Sequence, residues 1–79
     1  MDQNETKNMY GILGALLRTK RNAAGITQDD LATDLDIDRR HIGRIESGQS
    51  KLSIVRLIDI CKALNISAAE IIKQLEEKA

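Results

Sequence analysis

Proline is absent, Tyr10 is the only aromatic residue, and 79 residues contain one cysteine and one histidine. The want of aromatics argues against β-sandwiches and barrels, whose strands favour aromatic and β-branched residues, and against any site built on stacked rings. One Cys and one His leave no disulfide framework and no zinc site of Cys and His ligands. No apolar run approaches the ~18 residues of a membrane span. The segment Met1–Asn8 is polar and mixed in charge, unlike a signal or transit peptide. A lone thiol fits a reducing compartment, so the cytoplasm is expected. No glycine-rich phosphate loop is present, and the acidic run from Asp29 to Asp38 lacks the glycine and terminal glutamate of a calcium loop. Neither metal, cofactor nor small-molecule ligand is expected.

What is present is the balance of a folded domain, 42% apolar and 30% charged, with room for a single core at 8.8 kDa. Twelve basic and twelve acidic residues cancel. Cancellation lowers the expectation of nucleic-acid binding, which rests on neutralising phosphates, but the distribution is uneven. Bases gather at Arg18, Lys20 and Arg21 and again at Arg39, Arg40 and Arg44, and acids at Asp29, Asp30, Asp34, Asp36 and Asp38.

One pattern recurs four times after residue 25: an apolar residue, a capping residue, three more positions, then a second apolar residue. It reads Ile26-Thr27 with Leu31, Ile37-Asp38 with Ile42, Leu52-Ser53 with Leu57, and Ile66-Ser67 with Ile71. Ser, Thr or Asp there accepts a hydrogen bond from the free N–H groups of a first helical turn. The flanking apolar pair forms a hydrophobic staple. Ser67 with Glu70 reads as a capping box, and Thr27 with Asp30 as a weaker one. An earlier helix carries Leu13, Leu17 and Ala24 on one stripe, with Leu16 beside them, and Gly25 at its C-terminal cap. Helices are therefore expected at about 10–24, 28–35, 39–46, 54–64 and 68–77, after a flexible tail at residues 1–8. The fold class is all-α: a compact five-helix domain over residues 9–79. Helix 54–64 should turn Ile54, Leu57, Ile60, Cys61 and Leu64 inward. Ile72 and Leu75, beside Ile71, exceed what one partner helix would cover, which nominates them for a homodimer interface that uses the last two helices.

Helices 28–35 and 39–46 are joined by only Asp36-Ile37-Asp38, the length of a helix-turn-helix connection. The segment Thr27–Gly48, TQDDLATDLDIDRRHIGRIESG, resembles the Cro and phage-repressor (XRE-like) helix-turn-helix family. The resemblance extends over about Leu13–Ser67, through Leu13-Gly14, Leu17-Arg18 and Arg21 upstream and Leu57, Ile60 and Ala63-Leu64 downstream. Asp36 stands where the family usually has glycine, and Leu52 where it usually has proline. The resemblance implies a lambda-repressor-like fold, with helix 39–46 in the DNA major groove reading base edges.

At about 100° per residue from Arg39, Arg40 lies at about 100°, Gly43 at about 40° and Arg44 at about 140°. Ile42 and Ile45 fall on the opposite side, and His41 on the flank between. Arg39, Arg40 and Arg44 are the candidate base contacts, since a guanidinium fork can donate to guanine O6 and N7. His41 either reaches a phosphate or packs at the edge. The resemblance places Gln28 on a phosphate while it braces the recognition helix, with the free N–H groups of that helix start favouring an anion. Thr27 caps first and contacts phosphate second. The loop Ser47–Lys51 offers Gln49, Ser50 and Lys51 to the backbone of double-stranded DNA. By resemblance, Arg21 and Glu46 form a partly buried salt bridge that fixes the recognition helix.

Two other classes compete. Catalysis would need His41 beside a nucleophile, but Cys61 lies on an apolar stripe. A protein-interaction module, such as an antitoxin or coactivator, would use the same fold and suits the neutral charge. The resemblance favours a sequence-specific DNA-binding regulator, a homodimer on an inverted-repeat operator, acting most simply by occluding a promoter.

Overall fold

A short polar cap starts every helix in the chain, and a single left-handed residue follows each of the first four. The computed structural model describes residues 1–79 and contains five helices: α1 Gln3–Ala23, α2 Gln28–Leu35, α3 Arg39–Glu46, α4 Ile54–Ala63 and α5 Ala68–Lys78. Thr27, Asp38, Ser53 and Ser67 sit in extended backbone and accept from the N–H groups of Asp30, Arg40, Arg56 and Glu70. At Thr27 the capping box is complete, because its N–H also donates to the Asp30 carboxylate at 3.2 Å. At Ser67 only the hydroxyl half forms; Glu70 is exposed and does not reach back, the reverse of the ranking expected from the sequence.

The first four helices each close on one residue with positive φ: Gly25 (71°), Asp36 (55°), Gly48 (80°) and Asn65 (57°). The next N–H then reaches back five residues, Ile26 to Arg21, Ile37 to Ala32, Gln49 to Arg44 and Ile66 to Cys61. This is the Schellman closure, which satisfies carbonyls that a helix end otherwise leaves free. Asp36 adopts the conformation without being glycine, as short polar side chains can.

Packing joins the helices into a closed ring. α1 lies against α3 and α5, α2 against α3 and α4, and α4 also against α5. All five contribute to the core, through Leu13 and Leu17, Leu31 and Ala32, Ile42 and Ile45, Leu57, Ile60 and Cys61 with the capping Leu64, and Ile71. Burial pushes the Cys61 thiol above its ordinary pKa, consistent with an inert core residue. No helix is long and apolar enough to cross a membrane.

The structure departs from the sequence reading at three further places. α1 begins at Gln3, so most of the expected tail is helical; Asp2 caps it, accepting from the Glu5 N–H at 2.8 Å. Ala24 is exposed rather than part of the α1 stripe, because the helix ends at Ala23 and Ala24 is its cap. Ile54, expected in the core, is 58% exposed at the first position of α4.

Gly14 sets the distance between α1 and α3. A Cβ there would fall onto the carbonyl oxygens of Ile45 and Glu46, 2.5 Å from the latter, so the backbones meet with no side chain between them. Gly14→Ala should cost about 3 kcal/mol in urea unfolding, at the upper end of overpacking penalties. Gly11→Ala on the same helix, where a Cβ meets nothing within 4 Å, should be neutral or stabilising. Equal stabilities of the two variants would contradict this account of the crossing.

Candidate nucleic-acid interface

The outer face of α3 depends on what holds its inner face. Ile42 and Ile45 are sunk in the core, and Glu46 follows them inward. The Glu46 carboxylate accepts from Arg21 Nε at 2.6 Å and Arg21 Nη2 at 3.1 Å, a bidentate ion pair with side chains 9% and 5% exposed. Gln28 Nε2 donates to the same carboxylate at 3.0 Å, and Arg21 Nη1 donates to the Ile26 carbonyl at 2.8 Å. No buried side-chain polar atom lacks a partner. One network therefore ties α1, the start of α2 and the end of α3.

Above it, Arg39, Arg40 and Arg44 are exposed, and His41 is half-buried between the two faces. A Cβ at Gly43 would meet nothing within 4 Å, so the glycine leaves open space amid the arginines rather than relieving a contact. Two of the arginines face carboxylates. Arg39 Nε lies 3.4 Å from Asp29 Oδ1 across α2 and α3. Arg40 donates to Asp38 from Nε at 3.4 Å and Nη2 at 3.1 Å, while the Arg40 backbone N–H also donates to Asp38 Oδ1 at 2.8 Å. The Arg40 side chain, then its backbone N–H, hold the Asp38 carboxyl below the usual carboxylate range, and the Asp38 hydrogen bond raises the Arg40 guanidinium in turn. Arg44 has no carboxylate within ion-pair distance.

Thr27, Gln28 and Arg39 share a polar hollow of about 380 Å³ at the start of α2, with Arg21 and Asp29 also on its wall. The Thr27 hydroxyl is engaged in capping, and Gln28 is half-buried in the Glu46 network. Gln49, Ser50 and Lys51 line a second hollow of about 600 Å³ beside the first turns of α1. Their loop is strapped to α3, because the Arg44 carbonyl accepts from the Ser47 hydroxyl and from the N–H groups of Gln49 and Ser50.

Ile72 and Leu75, nominated for the dimer interface, lie on α5. Both are half-buried against the core. Leu75 faces a cavity of about 330 Å³ that Thr6, Met9 and Tyr10 also line, on turns of α1 read from sequence as tail or helix start. The exposed large apolar side chains, Met1 aside, are Ile54 (58%), Val55 (66%) and Ile58 (38%), all on α4. The sequence reading also missed the acids facing Arg39 and Arg40. The Asp38-x-Arg40 spacing at a helix start was a legible signal; the Asp29–Arg39 approach, set by how α2 meets α3, was not.

A family model described as Helix-turn-helix matches residues 17–71. The control protein C.MunI from Mycoplasma sp is 27% identical over 75 residues, spanning 95% of this chain and 99% of that protein. The restriction-modification controller protein C.AhdI from Aeromonas hydrophila superposes with a TM-score of 0.74 at 34% identity, covering 78% of this chain and 94% of that one. The controller protein C.Esp1396I, solved as a tetramer in complex with its natural 35 base-pair operator, gives a TM-score of 0.76 at 29% identity, covering 87% of this chain and 91% of that one.

Removing the Glu46 carboxylate leaves a buried guanidinium without its counter-charge. Glu46→Ala should therefore cost about 3 kcal/mol and lower the melting midpoint by more than about 10 °C. A midpoint equal to that of wild type would show that the pair does not hold the domain together.

Proposed function

Because the chain belongs to the helix-turn-helix family, we propose that it is a sequence-specific regulator of transcription that binds double-stranded operator DNA through α3. The observation that carries the reading is the outer face of that helix. Three exposed arginines surround a glycine with open space above it, on a helix anchored from below by Ile42, Ile45 and Glu46. Arg39, Arg40 and Arg44 are assigned to base edges in the major groove, where the guanidinium fork matches guanine O6 and N7. Gln28 and Thr27, at the free N–H groups of α2, and Gln49, Ser50 and Lys51, on the loop strapped to α3, are assigned to phosphates. His41, on the flank, joins them as a phosphate contact. Nothing in this assignment calls for catalysis, and the cytoplasm is its natural setting.

The regulator acts as a homodimer, a repressor or controller on an inverted repeat whose half-sites lie about one helical turn apart. The second copy is assigned to the exposed face of α4, where Ile54 and Ile58 are neighbours one turn apart and Val55 adjoins them. Burying such side chains against a twin contributes about 1.5–3 kcal/mol each, which suits a domain whose own core is small.

Selection from randomised duplexes tests the operator reading. Wild type should enrich a two-fold symmetric motif, with information lost at particular base pairs in Arg40→Ala and Arg44→Ala. Affinity should fall steeply with salt, its logarithm dropping by about 0.9 per neutralised phosphate for each unit of log salt. A salt-insensitive interaction with a protein, and no motif, would favour the antitoxin or coactivator reading. For the dimer, Val55→Glu should sediment as a folded monomer and bind the operator far more weakly. An unchanged dimer mass would remove α4 from the interface.

A further inference from the structure

We propose that Asp38 is a positioning residue for sequence discrimination: it holds one edge of the Arg40 guanidinium so that the other edge is presented to guanine and withheld from phosphate. The inference rests on Arg40 entering the major groove as assigned above. Its basis is the division of labour on one carboxylate. Asp38 Oδ1 accepts the Arg40 backbone N–H that caps α3, and the same carboxylate takes Nε and Nη2 of the Arg40 side chain at 3.4 and 3.1 Å. A guanidinium has five N–H donors. With Nε and one Nη2 hydrogen engaged, the remaining Nη1 and Nη2 hydrogens form the fork that spans O6 and N7 of guanine.

The pair is exposed, its side chains 79% and 56% accessible, so it adds little to stability. What it supplies is orientation. A free arginine loses rotamer entropy on docking, whereas one already held in place has less to lose. The carboxylate also sets a negative charge beside the fork. A phosphate approaching Arg40 meets that charge, and a neutral guanine does not, so the same contact that favours the right partner disfavours the commonest wrong one. Neither neighbour is arranged in this way. Arg39 approaches Asp29 through a single 3.4 Å contact, and Arg44 faces no carboxylate.

Asp38→Asn separates the roles, because asparagine caps a helix as well as aspartate does but carries no charge to hold the guanidinium. Its melting midpoint should match wild type. Its preference for the selected operator over the same duplex with the Arg40-dependent base pair changed should fall about tenfold. Binding to unrelated duplex should strengthen, with a salt dependence steeper by about one phosphate. In an Arg40→Ala background the substitution should change neither quantity. The inference is overturned if wild type selects a motif and Asp38→Asn keeps both the motif and the ratio, or loses information at a base pair that Arg40→Ala does not affect. If wild type selects no motif, the operator reading fails, and this inference with it.

Discussion

A guanidinium and a carboxylate lie inside a domain with only two buried charged residues, Arg21 and Glu46, and the placement of α3 follows from them. Desolvation makes a buried ion pair a poor source of net stability. A bidentate fork does have direction, because two parallel N–H···O bonds fit in one orientation only. Arg21 comes from the last turn of α1 and Glu46 from the last residue of α3, so their bond fixes the inner end of α3. Gly14 brings the two backbones together beside the pair, and Gln28 draws in the start of α2. The arginines outside take their positions from this arrangement.

Much of this was legible before any coordinates, because the helix ends are written in local chemistry. The starts of α2, α3, α4 and α5 fall where Thr27, Asp38, Ser53 and Ser67 placed them. A cap and a staple act over five residues and need no knowledge of the rest of the chain. The start of α1 escaped notice for the complementary reason. Asp2 and Glu5 carry a capping signature, but Thr6 stands where an apolar residue would complete a staple with Met1.

Read along α5 alone, Ile71, Ile72 and Leu75 exceed what one partner helix would cover. The ring gives α5 two neighbours, and the first turns of α1 stand opposite Leu75. Met1 aside, the exposed large apolar side chains lie on α4. Helical period marks Ile54, Val55 and Ile58 as apolar but cannot say which apolar residues a partner helix reaches; that depends on how α4 lies between α2 and α5. The acids beside Arg39 and Arg40 divide in the same way, Asp38 being local in sequence and Asp29 brought near by packing.

In three of the four connections the residue that closes one helix also staples the next. Ile26, Ile37 and Ile66 each donate the five-residue return bond and precede the next cap. An inserted residue at any of these points would break two helix ends at once. Between α3 and α4 the duties are split: Gln49 makes the return bond and Leu52 precedes the cap, with Ser50 and Lys51 between them. Length variation is thus tolerable at one connection only, the loop strapped beside α3. A lineage built on this scaffold can lengthen or shorten the loop that leaves α3, while the other three joints hold the architecture to a fixed chain length.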